Sequence, residues 1–269
     1  MASHTERNAR PDASKNRAGK PGRTPFQPRR DAISDDWLWG WHAVVAALEN
    51  PARPKPGRLL ATLDRGREIE KRFGVDLRFE VADGHGISQL LPQGAVHQGI
   101  AAQISEPEAL SLYDLEPKDG AVLLLLDQVT DPQNVGAILR SAAAFGAAGV
   151  ILQDRHAPKL SGTLAKAAAG AVDRVPTVRV TNLSRALETL SQAGWRTIGL
   201  AGQGVLSLDQ ALDGSPTVLV LGSEGDGMRR LVAEHCDELA HIPMPGGFES
   251  LNVSAAAAVA LYEACKPRP

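Results

Sequence analysis

The chain has 269 residues, 43% of them hydrophobic, and a formal net charge of −2. That length suits one large domain or two modest ones, and no stretch reaches the roughly 18 apolar residues of a membrane span, so no membrane partner is expected. Aromatics make up only 4%, so the core must be aliphatic and alanine-rich.

Two cysteines, Cys236 and Cys265, form no CxxC pair and read as reduced structural thiols, which points to a cytoplasmic protein. The seven histidines form no ligand-spaced cluster, so no metal site is expected. The charge is unevenly placed. Residues 1–30 carry eight Lys/Arg against Glu6 and Asp12, a net +6, and the remainder therefore carries −8. A basic arm on an acidic body fits a polyanionic partner, and equally a solvated tail.

In chain order, residues 1–36 have almost no large apolar side chains and cannot bury enough to fold. They lack the apolar core of a secretory leader. Order begins near Trp37. A helix is predicted over 43–49, ended by Asn50-Pro51. A strand over 58–62, a helix over 65–73, a strand over 77–81, a short helix over 87–91 and a strand over 97–104 follow. Residues 37–106 thus read as a small α/β unit, and 107–119 as a linker. From Gly120 the pattern becomes regular. Strands are predicted over 122–127, 150–153, 196–201, 217–222 and 239–243, and helices over 132–145, 160–168, 183–192, 228–235 and 253–264. Apolar strands alternating with helices give an α/β domain, 120–269, built on a parallel sheet covered on both faces. Its ligand crevice should lie beyond the strand C-termini, where 127–134, 222–227 and 243–252 meet.

Three constellations fall at those ends. In the first, Asp131 before Pro132 is an N-cap signal followed by Pro at the first helical position. On that helix Gly136, Arg140, Ala143 and Ala147 share a face of small residues around one arginine. A helix glycine costs about 1 kcal/mol against alanine, so Gly136 points to close approach by a ligand, substrate or second subunit. The second is Leu219-Val-Leu-Gly-Ser-Glu-Gly-Asp-Gly-Met228, a buried strand running into a glycine-rich turn. It is neither a P-loop nor GxGxxG. Its backbone N–H groups can face a ligand beside Glu224, and a tight turn alone would account for the glycines equally well. The third is Ile242-Pro-Met…Ser250-Leu-Asn-Val-Ser254, a polar loop before an alanine helix. Leu251 can pack while Ser250 and Asn252 point the other way, and either polar residue can cap the helix.

Together these three pieces resemble the motifs of the SpoU (TrmH-type) RNA ribose 2′-O-methyltransferases of the SPOUT superfamily. Residues 37–106, ending in His97-Gln-Gly99, resemble that family's ribosomal-protein-L30-like substrate-binding domain. The resemblance covers nearly everything after residue 36. It implies a sheet with a C-terminal trefoil knot and a homodimer whose sites draw on both subunits. It implies S-adenosyl-L-methionine cradled by backbone at Gly222, Ile242 and Leu251, with Ala201 near the adenine. It implies in-line methyl transfer to a ribose 2′-hydroxyl. Arg140 would activate the hydroxyl or clamp the adjacent phosphate, Asn134 would hold Arg140, Ser250 and Asn252 would position substrate, and Glu224 would order the site. The L30-like unit and the Met-Arg-Arg-Leu and Ile-Pro-Met sequences point to a guanosine in 23S ribosomal RNA, ahead of a tRNA substrate. Pro245, Phe248 and Glu249 depart from the small residues usual in that loop.

Two other functional classes would require different residues. A nucleotide-dependent oxidoreductase would carry GxGxxG after the first strand, where this chain has Asp127-Gln-Val-Thr-Asp-Pro132. A non-catalytic RNA-binding protein would need no role for Arg140.

Overall fold

A computed structural model of the chain describes residues 37–74, 76–247 and 250–266. The basic segment 1–36, and Phe248 and Glu249 in the departing loop, lie outside the described residues.

Residues 37–103 form a four-stranded sheet in the order β1-β4-β2-β3. Strand β1 (Trp37–Trp39) and β2 (Arg58–Ala61) run antiparallel to β4 (Ile100–Gln103), and β3 (Glu80–Val81) pairs parallel with β2. Helices α1 (Trp41–Glu49), α2 (Leu63–Phe73) and α3 (Gly84–Ser88) connect them. Differences from the sequence reading lie at turns. The strand expected over 97–104 begins only at Ile100, because Gln98 and Gly99 adopt φ of 56° and 80°. The Gly99 N–H donates to the ring two residues before it, at His97 Nδ1, and the Thr62 N–H donates to the Gly99 carbonyl. The strand expected over 77–81 shrinks to two residues, and the short helix starts at Gly84, where Asp83 caps it.

The remainder builds a seven-stranded, wholly parallel sheet. In chain order its strands are β5 (Val122–Leu126), β6 (Gly149–Gln153), β7 (Thr177–Val180), β8 (Arg196–Leu200), β9 (Leu206–Ser207), β10 (Thr217–Leu221) and β11 (Glu238–His241). Their spatial order is β7-β6-β5-β10-β8-β11-β9. Strands β5 and β10 are buried along their full length, which is why they read as unbroken apolar runs. Leu124 and Leu126 face α4 (Pro132–Phe145), α5 (Gly162–Ala168) and α9 (Val253–Cys265) in one cluster. Leu123 and Leu125 face Trp195 and α6 (Leu183–Gln192) in another. β7 and β9 are short and carried no sequence-level expectation. The stretch read as a linker packs against the sheet: Leu110 bridges Val178, and Leu115 is buried.

The connection order sets the site. From β5 the chain moves outward through α4 to β6 and β7. After β9 comes the short α7 (Leu208–Ala211); from β10 the chain moves the other way, through α8 (Arg230–Glu234), to β11. The crevice where these directions diverge lies at Leu126 and Leu221, side by side in register. Beyond β8, β11 lies between β8 and β9, so residues 201–205 must cross it. Gly204 makes that crossing: a Cβ there would lie 2.6 Å from the Ala240 carbonyl carbon.

Gly136 has an intramolecular explanation. A Cβ on it would lie 2.6 Å from both the Ala167 Cβ and the Leu164 carbonyl oxygen, so the close neighbour is α5 of the same chain, not a ligand or second subunit. Gly170, at φ 94°, similarly admits α1, whose His42 carbonyl would lie 2.9 Å from its Cβ. The two sheets are also joined by charge. Arg53 Nε meets Asp173 Oδ1 at 2.5 Å with side chains 1% and 3% exposed, and Asn50 Nδ2 donates to the same oxygen at 3.0 Å. Both cysteines are unpaired, and burial pushes the Cys236 thiol up to about 12.

Two substitutions test this packing. Gly136→Ala should gain about 1 kcal/mol of helix propensity and lose about 1–3 kcal/mol to overpacking against α5. Urea unfolding should show a net loss; a gain would mean that α5 yields freely. Asp173→Ala leaves Arg53 buried without its anion and should cost about 3–5 kcal/mol. A loss below about 1 kcal/mol would show that water reaches the guanidinium.

Candidate active site

The three constellations converge through hydrogen bonds that span most of the large sheet's sequence. Asp131 caps α4, accepting from the N–H groups of Gln133 and Asn134 at 3.2 Å each. This fixes Asn134 on the first turn. Its Nδ2 donates to Glu224 Oε1 at 3.0 Å. Asn252 Nδ2 donates to the same oxygen at 2.6 Å and to Asn134 Oδ1 at 3.1 Å. The Val253 N–H adds a further donor to Glu224 Oε1 at 3.3 Å. Asn252, rather than Ser250, caps α9: its Oδ1 accepts from Ser254 N at 3.0 Å, Ser254 Oγ at 2.6 Å and Ala255 N at 3.4 Å. One residue therefore starts a helix and holds a carboxylate. The second oxygen of Glu224 has no hydrogen bond among the described residues.

A cavity of about 340 Å³ opens beside this network. Its walls are Leu200–Gln203 beyond β8, Leu221–Met228 beyond β10, and Ser250, Leu251, Val253 and Ala256. Four of the expected residues line it with Glu224: Ala201, Gly222, Ser250 and Leu251. Leu251 is 40% exposed, so it forms cavity wall and does not pack inward opposite Ser250. Ile242 is not among the lining residues and packs on the core. The glycine turn doubles back, with Ser223 N donating to Gly227 O and Gly227 N to Ser223 O at 3.1 Å each. A Cβ on Gly222 would collide with the Gly227 carbonyl. The turn needs that glycine, and the fold-back presents main chain to the cavity.

Arg140 lies elsewhere. Six residues after Asn134, it is about 9 Å further along the helix axis and on a different face. It lines a second cavity of about 550 Å³ with His42, Gln98, Lys166 and Arg174, and makes no hydrogen bond or ion pair among the described residues. Asn134 thus holds Glu224 and Asn252, not Arg140, within one chain.

Asp127 was not singled out by sequence as a site residue. It is wholly buried at the end of β5, and Arg229 binds it through both its backbone N–H, 2.7 Å, and its Nε, 2.8 Å. The pair anchors the far end of the glycine turn to the strand beside it. An acid closing an all-aliphatic strand was the available signal. Among the described residues, no group of three His, Cys, Asp or Glu could hold a metal, and no helix is long and apolar enough to cross a membrane.

The double role of Asn252 is separable. Asn252→Ala should lower the unfolding free energy by about 1 kcal/mol through loss of the cap, whereas Asn252→Ser should keep most of it. Both lose the bond to Glu224. Equal stabilities in urea titrations would refute the capping role.

The chain is similar to known proteins over most of its length. The model of the SpoU rRNA Methylase family matches residues 121–262. The 23S rRNA (guanosine-2'-O-)-methyltransferase RlmB of Vibrio parahaemolyticus is 39% identical over 249 residues, which cover 88% of this chain and 98% of that protein. The protein of the same name from Xylella fastidiosa is 42% identical over 249 residues, 87% and 97% of the two chains. The AdoMet-bound rRNA methyltransferase of Sinorhizobium meliloti superposes with a TM-score of 0.72 at 27% identity, covering 87% of this chain and 88% of that one. With a family model over more than half its length and relatives matched nearly end to end, the chain belongs to the SpoU rRNA Methylase family.

Proposed function

We propose that this protein transfers a methyl group from S-adenosyl-L-methionine to the ribose 2′-hydroxyl of a guanosine in 23S ribosomal RNA. The observation that carries this reading is the meeting of Asn134, Glu224 and Asn252 beside the 340 Å³ cavity. It agrees with the names of the relatives matched along almost their full length.

The cavity fits the cofactor chemically. Its volume falls in the range of small-molecule sites. Its walls combine main chain from 222–227 with the small or apolar residues Ala201, Leu251, Val253 and Ala256. Gly222 and Leu251 would hold the cofactor by backbone, with Ala201 beside its adenine and Ile242 supporting from behind. The cofactor supplies an electrophilic methyl on a sulfonium. The chain supplies position. Glu224, immobilised through one oxygen, keeps the other for substrate, and Ser250 offers a hydroxyl from the opposite wall. Asn134 and Asn252 lock that carboxylate, so the site is ordered before substrate arrives.

Arg140 enters through assembly. A guanidinium is a planar fork of five donors, a shape that suits a phosphate better than a proton-transfer role. Its distance from Glu224 within one chain fits a homodimer in which the Arg140 of a second copy completes each site. The outer face of α9 supports such pairing: Ala255, Val259 and Tyr262 are exposed together at helical spacing. The crossing of β11 by residues 201–205 fits a trefoil knot. Residues 37–106 would act as an L30-like RNA-binding domain, joined through 107–119 to a methyltransferase domain, 120–269. The basic segment 1–36 would add phosphate contacts. The setting for this substrate is the cytoplasm.

The test is methyl incorporation from labelled S-adenosyl-L-methionine into 23S rRNA lacking the modification, with tRNA as control. Arg140→Ala should reduce incorporation on the order of 100-fold or more, with cofactor affinity and thermal midpoint unchanged. Incorporation into tRNA alone would move the substrate. RNA binding without any incorporation would indicate a non-catalytic protein.

A further inference from the structure

The 550 Å³ cavity does more than house Arg140. It lies where α1 and the His97–Gly99 turn of the small sheet meet α4, α5 and the turn after α5. Its charged lining residues are Arg140, Lys166 and Arg174, and no Asp or Glu lines it. Elsewhere Arg53, Arg72, Arg179, Arg196 and Arg229 each pair with a carboxylate. None of the three cations in the groove does so among the described residues. The nearest acid in sequence, Asp173, is already taken by Arg53.

Lys166 is held in place. Its Nζ donates to Gln98 Oε1 at 2.9 Å, and the same oxygen accepts from the Trp41 N–H at 3.0 Å. Gly40 leaves room for it, since a Cβ there would collide with Nζ. Burial pulls the Lys166 ammonium down from its ordinary value, with no anion to oppose it. The floor is alanine: Ala43, Ala143, Ala168, Ala169 and Ala171. Ala169 takes a φ of 50°, a conformation costing about 1–2 kcal/mol for a residue with a Cβ. Such strain gathers at functional sites. No Phe, Tyr or Trp lines the groove and His42 brings its one ring, so it offers mainly donors and charge rather than a broad surface for stacking bases.

We propose that this groove binds the phosphodiester backbone of the RNA beside the target nucleotide, with Lys166 and Arg174 as phosphate contacts and Gln98 as the residue that positions Lys166. The inference rests on the RNA-methyltransferase reading and deepens it. Helices and turns that belong to both sheets' surroundings, α1 and the His97–Gly99 turn on one side and α4 and α5 on the other, line the groove, so one stretch of backbone bound there is gripped from both sides.

The experiment compares the full chain with Lys166→Gln/Arg174→Gln and with Gln98→Ala. Each binds a 23S rRNA fragment at salt concentrations from about 50 to 200 mM. The double variant should lose roughly 0.7–0.9 from the slope of log affinity against log salt for each contact, about 1.5 in all. Its S-adenosyl-L-methionine affinity by calorimetry and its thermal midpoint should not change. Gln98→Ala should bind RNA more weakly with the wild-type slope, because the ammonium remains but is no longer held. A wild-type slope in the double variant overturns the proposal. So does an altered sedimentation mass with an unaltered slope, which would assign the groove to contact between copies. A wild type that binds no RNA overturns it together with the functional reading. A wild type that transfers no methyl, yet loses salt slope in the double variant, sinks only the methyltransferase reading and leaves the groove standing.

Discussion

One oxygen of Glu224 gathers donors from two distant parts of the chain. Asn134 reaches it from the start of α4, and Asn252 and the Val253 N–H reach it from the start of α9. A carboxylate on a glycine turn would otherwise sample many rotamers. Charge-assisted bonds at 2.6 and 3.0 Å are the strong kind, and here they fasten a turn that has little packing of its own. The turn's other end is fixed by Asp127 and Arg229. The cavity lies between these two fastenings, so its shape depends on both. The two helix starts depend on it in return, because Asn252 caps α9 while it binds Glu224.

Small residues serve two different ends in this molecule. Gly222, Gly204 and Gly136 all admit backbone or side chains of the same chain. At Gly222 and Gly204 the close approach shapes the loops near the cavity. At Gly136 it only seats α5 on α4. Counting glycines on a helix face therefore could not tell a ligand surface from a helix contact, whereas asking what a Cβ would meet does so. The alanines around Arg140 differ again. Ala143 and Ala144 line open space that none of the described residues fills.

Much of the fold was legible because its signals are local. Unbroken aliphatic runs at 122–126 and 218–221 announced central parallel strands, and Asp131-Pro132 announced the start of α4 to the residue. The strand order was not legible. Nothing in Glu238–His241 says that it inserts between β8 and β9, because that choice depends on chain threading rather than on periodicity. β7 and β9 escaped because four- and two-residue strands give too few alternations to count. In the candidate site, the family resemblance pointed to Asn134, Glu224, Ser250 and Asn252, of which Asn134, Glu224 and Asn252 hydrogen-bond together, while Ala201, Gly222, Ser250 and Leu251 line the cavity. The separation of Arg140 was hidden, although 100° per residue already placed it on another face than Asn134. The pairings Arg53–Asp173 and Asp127–Arg229 link residues more than a hundred positions apart, and neither partner names the other in sequence.

The placement of cations follows from the same economy. Among the described residues, most arginines pair with a carboxylate. Arg140, Lys166 and Arg174 are exceptions concentrated in one groove. Asp173, which could have neutralised Arg174 next to it, is instead withdrawn into a buried pair with Arg53. That pair closes the contact between the sheets and leaves the groove positive at the same time. Away from the contact surface, an acidic protein that binds a polyanion gains little from added positive charge, since long-range repulsion is screened within about 10 Å at ordinary salt. It gains from removing acids locally. The groove shows that solution: the charge is achieved less by adding bases than by assigning the nearby carboxylate to a partner out of reach.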